Sequence, residues 1–165
     1  MRTIDNINDL NKSEFLSIFG NVFEKTESVA LKVFELKPFK DSDDIVSKML
    51  KIYEEYDRDK ILQILNSHPE LAIEKKLTND SKLEQTSANL NECSEEEFEE
   101  FKKLNLEYKI KFGFPFIIAV KGKNKNEILV NFRERIQNDL NKEFLEAKNQ
   151  VKKIASFRLK DILSF

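Results

Sequence analysis

Cysteine, glycine, proline and tryptophan are all scarce: one Cys, three Gly, three Pro and no Trp among 165 residues. With Cys93 alone no intrachain disulfide can close, and neither a CxxC redox motif nor a metal site with cysteine spacing can be assembled. A reducing cytoplasm is the expected setting. The shortage of Gly and Pro leaves little turn chemistry for a sandwich or barrel, and plentiful Leu, Glu, Lys and Ile favour helices instead. Long apolar runs are missing too. The longest, Phe112 to Val120, is interrupted by Gly113 and Pro115 and is far short of the roughly 20 residues that cross a bilayer. Met1 to Leu10 carry acids and no apolar stretch, so no secretory signal is expected there. No sign of charge dominates: Lys plus Arg number 28 against 30 for Asp plus Glu, interspersed as on solvated helix faces. Partnership with nucleic acid or with a membrane surface is therefore not expected. The basic stretch Lys121 to Lys125 holds Gly122 and Asn124 and reads as a solvated turn.

What is present is helical periodicity. Asp41 to Asp44 offer N-caps ahead of Ile45, Met49, Ile52, Tyr53 and Tyr56, which recur at three- and four-residue steps. Asp57 can cap a second helix striped by Ile61, Ile64, Leu65 and His68, and Pro69 stops it, because the residue before proline is pushed out of the helical region. Ser81 with Glu84, and Ser94 with Glu97, have capping-box spacing. Further stripes run through Phe15, Leu16, Phe19, Val22 and Phe23; through Val29, Val33 and Phe34; through Phe98, Phe101, Leu104 and Tyr108; through Ile128, Leu129, Phe132 and Ile136; and through Phe144, Val151, Ile154, Ala155, Leu159 and Ile162. No repeat and no linker divides the chain. The expectation is an all-α, single-domain bundle of about eight helices spanning residues 1–165. The segment from Phe112 to Val120 breaks the pattern: apolar without helical period, it is either a buried stretch of core or, with Pro115 lacking an N–H, a wall of main-chain groups for a small polar ligand.

Three polar positions stand in apolar places. His68, the only histidine, falls on an apolar stripe at the end of its helix, where carbonyls and the negative end of the dipole favour the imidazolium; it is a proton donor or a ring that caps carbonyls. Arg158 emerges seven residues after Val151, from a face that should pack inward, so it needs a structural carboxylate or an anionic ligand. Glu84 and Gln85 follow Ser81 at a helix start, where a capping box accounts for Ser81 and Glu84, and where N–H donors and the Gln85 amide could also meet a ligand.

These residues belong to a longer pattern. His68-Pro69-Glu70-Leu71-Ala72, Ser81-x-x-Glu84-Gln85-x-x-Ala88-x-Leu90 and Leu104-Asn105-x-x-Tyr108-x-x-x-Phe112-Gly113-Phe114-Pro115-Phe116 together resemble the 2-oxo-4-hydroxy-4-carboxy-5-ureidoimidazoline (OHCU) decarboxylase family. Phe19-Gly20-x-Val22-Phe23-Glu24, Pro38-Phe39 and Arg133-x-Arg135-Ile136-x-Asn138, leading to Glu143, Ala147, Ile154, Ala155, Arg158 and Leu159, extend the resemblance to nearly the whole chain. The resemblance implies an all-helical carboxy-lyase, commonly a homodimer, that converts OHCU to (S)-allantoin and carbon dioxide in urate degradation with no cofactor and no metal. Carried over by position, it implies catalytic roles for His68, Glu84 and Arg158, with Pro69, Ser81, Gln85 and the backbone of Phe116, Ile117, Ile118, Ala119 and Val120 around the substrate. It leaves open whether Arg158 holds substrate or fixes Glu84. Asn89 stands where the family usually has glycine, and Leu163-Ser164-Phe165 is not the peroxisomal tripeptide that many members carry. The competing expectation is a non-catalytic helical module that binds a partner through its 14 phenylalanines.

Overall fold

Capping chemistry sets the helix starts. In the computed structural model, which describes residues 3–72 and 78–164, nine α-helices and one short 3-10 helix occur among the described residues, with no strand. Eight of the nine have seven or more residues, in line with the all-α expectation. The chain divides into two compact units, Met1–Ser67 with Lys152–Phe165, and His68–Val151.

The first unit holds α1 (Ile4–Asp9), α2 (Lys12–Phe19), α3 (Ser28–Phe34), α4 (Ser42–Glu54), α5 (Arg58–Ser67) and the end of α9 (Leu140–Ile162). Thr3 and Asn11 start α1 and α2 with complete capping boxes, Asp41 caps α4, and the Asp57 carboxylate accepts from Lys60 N–H at 2.8 Å to open α5. The stripe through Phe23 does not stay helical: α2 stops at Phe19, and Val22 and Phe23 are buried from the turn beyond it. Gly20 marks that stop, since a Cβ there would lie 2.4 Å from the Leu16 carbonyl oxygen. Phe15 anchors an aromatic cluster with Phe19, Phe34 and Phe39, and Phe23 stacks on Tyr53 with centroids 4.8 Å apart.

The second unit holds α6 (Asn79–Ser87), the 3-10 helix Leu90–Glu92, α7 (Glu95–Phe112), α8 (Lys125–Arg135) and the start of α9. Ser94 and Glu97 form the expected capping box. The box expected at Ser81 and Glu84 is corrected: Thr78 is the N-cap, its hydroxyl accepting from Ser81 N–H at 3.3 Å, so Ser81 sits at the third helical position and its hydroxyl is buried. Asn89 takes the left-handed conformation (φ 59°) that a glycine would adopt freely, a role asparagine fills with the least strain among the other residues. Gly113, at φ 80°, ends α7, and from Phe114 to Val120 the chain is neither helix nor strand yet is buried throughout. Phe116 lies flat on Phe132, centroids 3.9 Å apart and planes 8° apart, and Tyr108 meets Phe114, Phe116 and Phe132 edge-on.

Ten of the 13 phenylalanines among the described residues are buried, which accounts for them as core and removes the main support for an aromatic docking module. Among the described residues no helix is long and apolar enough to cross a membrane.

Candidate functional site

His68 is the first residue past the end of α5 rather than the last residue of the helix, and it is 8% exposed. Pro69 beside it is half-buried. Three of the four residues that follow His68 are held by two side-chain amides. Gln85, on α6, accepts from Ala72 N–H at 3.1 Å through Oε1 and donates to the Glu70 carbonyl at 3.2 Å through Nε2, while Asn105, on α7, donates to the Leu71 carbonyl at 3.0 Å. The stapling matters because Ala72 has φ 53°, a conformation that costs a residue with a Cβ of order 1–3 kcal/mol and persists only where neighbours enforce it. Gln85, expected beside the substrate, thus has both ends of its amide on the main chain after His68. Ser81, Glu84, Gln85 and Ala88 recur at helical three- and four-residue steps, so α6 turns them toward a common side; Ser81, Gln85 and Ala88 are buried and Glu84 is half-buried. The Asn105 Oδ1 is buried with no hydrogen-bond partner among the described residues.

The second segment expected around a ligand, Phe116 to Val120, belongs to the same unit and is gripped by two side chains. Arg135 donates through Nη1 to the Ile117 carbonyl at 2.7 Å, and Gln150 Oε1 accepts from Ala119 N–H at 2.9 Å. Behind these contacts lies a buried polar cluster. Glu143, 0% exposed, accepts at Oε1 from Arg135 Nε at 2.7 Å and from the Tyr108 hydroxyl at 2.6 Å, and at Oε2 from Asn138 Nδ2 at 3.0 Å. Arg135 Nη2 lies 2.5 Å from the same Oε1, an ion-pair contact outside hydrogen-bond geometry, and the guanidinium sits 4.3 Å from the Phe116 ring centroid. Burial, reinforced by the Glu143 carboxylate, pushes the Tyr108 hydroxyl well above the ordinary tyrosine range, so it stays a donor to Glu143.

Arg158 belongs to the first unit, where it donates through Nη2 to Glu24 Oε2 at 2.8 Å and through Nη1 to the Asn21 carbonyl at 2.9 Å. The structural carboxylate that its buried position called for is therefore Glu24. His68, Pro69, Ser81, Glu84, Gln85 and Phe116 to Val120 all belong to the second unit.

Sequence reading assigned no role to Asn105, Tyr108, Arg135, Glu143 or Gln150. A signal was available on α9: stepping back from Arg158 by four, four, three and four residues gives Ile154, Gln150, Ala147 and Glu143, so three polar residues share a face with two apolar ones. The second unit offers a buried imidazole at His68, a half-buried carboxylate at Glu84 and a buried stretch of irregular main chain from Phe114 to Val120. Among the described residues no group of three or more His, Cys, Asp or Glu could hold a metal ion.

Comparison with known proteins gives these residues a context. The model of the OHCU decarboxylase family matches residues 8–160. A uric acid degradation bifunctional protein of Bacillus sp. is 38% identical over 162 residues, which cover 98% of this chain and 32% of that protein, so the chain spans about a third of that relative's length. A 2-oxo-4-hydroxy-4-carboxy-5-ureidoimidazoline decarboxylase of Haloferax volcanii is 35% identical, with 98% of this chain and 96% of the relative covered. Among solved structures, a crystal structure of (S)-allantoin synthase superposes with a TM-score of 0.78 at 25% identity over 98% of this chain and 54% of that one. With a family model running over nearly its entire length and a full-length relative above 30% identity, this chain belongs to the OHCU decarboxylase family.

Proposed function

We propose that the protein is a carboxy-lyase that decarboxylates OHCU to (S)-allantoin without a cofactor, working in the cytoplasm as a step of urate degradation. The observation that carries the reading is the family match over residues 8–160; His68 and Glu84 are proposed, on the sequence resemblance, as its histidine and glutamate. The match crosses the boundary between the two units, which supports their acting as a single domain.

Decarboxylation requires a place for the electron pair released as carbon dioxide leaves, and enzymes commonly recruit a cofactor for it. OHCU carries its own sink. As the bond from the ring carbon to the carboxylate breaks, its pair forms a carbon–carbon double bond to the imine carbon, the imine π pair settles on the nitrogen, which takes a proton, and an enol forms. Its carbon–carbon double bond then takes a proton at the former imine carbon, on one face, while the hydroxyl surrenders its own to become a carbonyl. Three tasks fall to the protein: holding the carboxylate out of the ring plane, polarising the hydroxyl and supplying one proton. His68 serves the leaving carboxylate or the proton; Glu84 accepts from the hydroxyl. Arg158, with one donor on Glu24 and another on the Asn21 carbonyl, is proposed on the resemblance as the cation that holds an anionic or carbonyl group or orients Glu84. Pro69, Ser81 and the Phe116 to Val120 backbone complete the substrate's surroundings, and Gln85 shapes the main chain next to His68.

Replacing His68 by Asn removes the titrating group while keeping a polar side chain. In a coupled reaction that makes OHCU from urate by oxidation and hydrolysis, circular dichroism should show formation of the (S)-allantoin signal slowed about 10²- to 10⁴-fold, the worth of a positioned acid or base. Undiminished turnover would remove His68 from the mechanism. A homodimer is proposed as the working state. Leu106 and Ile110, 62% and 76% exposed and one turn apart on α7, support it, and sedimentation equilibrium should give twice the 19.4 kDa chain mass. A monomer at micromolar concentration would retire that part of the reading.

A further inference from the structure

The peptide groups of the Phe116 to Val120 segment are used asymmetrically. The Ile117 carbonyl is taken by Arg135 and the Ala119 N–H by Gln150, whereas among the described residues neither the N–H nor the carbonyl of Ile118 makes a hydrogen bond, although Ile118 is only 5% exposed. In a trans peptide the carbonyl and the N–H point opposite ways, so the Ile118 N–H points away from the Ile117 carbonyl held by Arg135, and the Ile118 carbonyl points away from the Ala119 N–H held by Gln150. A buried main-chain amide left without a partner is costly, and its persistence calls for an explanation.

We propose that Gln150 and Arg135 are positioning residues: by holding the Ala119 N–H and the Ile117 carbonyl they fix the segment so that the peptide groups of Ile118 face the substrate. The inference rests on the decarboxylase reading above and adds to it the groups that set the register of the substrate wall. Both are themselves fixed. Gln150 Nε2 donates to Glu146 Oε1 at 2.8 Å, which orients the amide so that Oε1 faces Ala119. Arg135 is clamped by Glu143, whose carboxylate is in turn held by Tyr108 and Asn138, and the guanidinium is overlaid by Phe116 from the segment itself.

Two measurements test the proposal. In wild-type protein labelled with nitrogen-15, saturation with (S)-allantoin should move the Ile118 amide resonance and leave that of Ala119, already capped by Gln150, nearly in place. In steady-state assays, Gln150→Met should raise KM for OHCU about tenfold with kcat held within about threefold, because contacts made equally in ground and transition states appear in KM. The exchange pair Gln150→Glu with Glu146→Gln should restore KM, since the carboxylate placed at 150 can accept from both Ala119 and the amide placed at 146. A shift at Ala119 in place of Ile118, a shift at neither, or an unchanged KM in a folded Gln150→Met protein would overturn the inference while leaving the decarboxylase reading standing. A wild-type protein that forms no (S)-allantoin from OHCU would sink both.

Discussion

Arg135 in one unit and Arg158 in the other are 8% and 6% exposed, and each directs one donor at a carboxylate that is 0% exposed and another at a main-chain carbonyl. Arg158 anchors the turn after α2 through Asn21, and Arg135 anchors the irregular core segment through Ile117. A guanidinium suits both tasks because its planar fork delivers two directed N–H groups at once and never loses its charge. The difference between them is one of disguise. Arg158 continues the seven-residue steps of Phe144 and Val151, so its sequence position alone betrays it. Arg135 stands in the last turn of α8, where a basic residue is ordinary because it complements the helix dipole, and nothing in the local pattern says that its carboxylate partner lies on α9.

The comparison breaks most visibly if either pair is halved. Arg135→Met strands Glu143, and Arg158→Met strands Glu24, as buried carboxylates without their cation, which should cost about 3–5 kcal/mol of folding stability in each case, read from urea unfolding. A loss below about 1 kcal/mol in either variant would mean that its carboxylate finds water or another partner. Replacing both members separates the two arginines further. Arg158→Met with Glu24→Leu, and Arg135→Met with Glu143→Leu, should each regain most of the lost stability, because apolar residues of similar volume tolerate such a site. Catalysis should not follow stability at Arg158. If that guanidinium also serves the substrate, its double variant remains down by about 10- to 100-fold in kcat/KM, the value of one hydrogen bond to a charged group. Activity restored along with stability would make Arg158 a purely structural residue.

How much was legible in the sequence follows the range of the forces involved. Helix starts written in short polar side chains, at Asp41, Asp57 and Ser94, were readable because capping is local. Ser81 misled because Thr78, three residues earlier, is as good a cap, and local chemistry cannot rank the two. At the candidate site, His68 and Arg158 were visible as polar residues on apolar stripes. Gln85 was visible, but its task was not, since the strained Ala72 that it restrains is a product of the folded chain. The cluster of Tyr108, Arg135, Glu143 and Gln150 joins three helices and a loop over 8 to 35 residues of separation, and no periodicity encodes such a meeting.

The smallest expected effect compares two tyrosines, one in each unit. Tyr53 and Tyr108 are both 0% exposed, and burial holds both hydroxyls far above the usual 10.0, with Glu54 adding to the rise at Tyr53 and Glu143 at Tyr108. For a group whose pKa is raised by folding, the associated stability is intact below the unfolded value and drains away above it, because only the unfolded chain then releases the proton. Neutral pH should therefore show no tyrosine-linked change. Above pH 10 each buried tyrosine should remove about 1.4 kcal/mol of stability per pH unit. Tyr53→Phe and Tyr108→Phe should each halve that combined slope in urea unfolding measured between pH 10 and 11, even though Tyr108→Phe also loses its bond to Glu143 and starts from a lower stability at pH 7. A slope unchanged by Tyr108→Phe would mean that its hydroxyl ionises within the folded protein, and an anion there would be incompatible with Glu143 remaining charged at 2.6 Å.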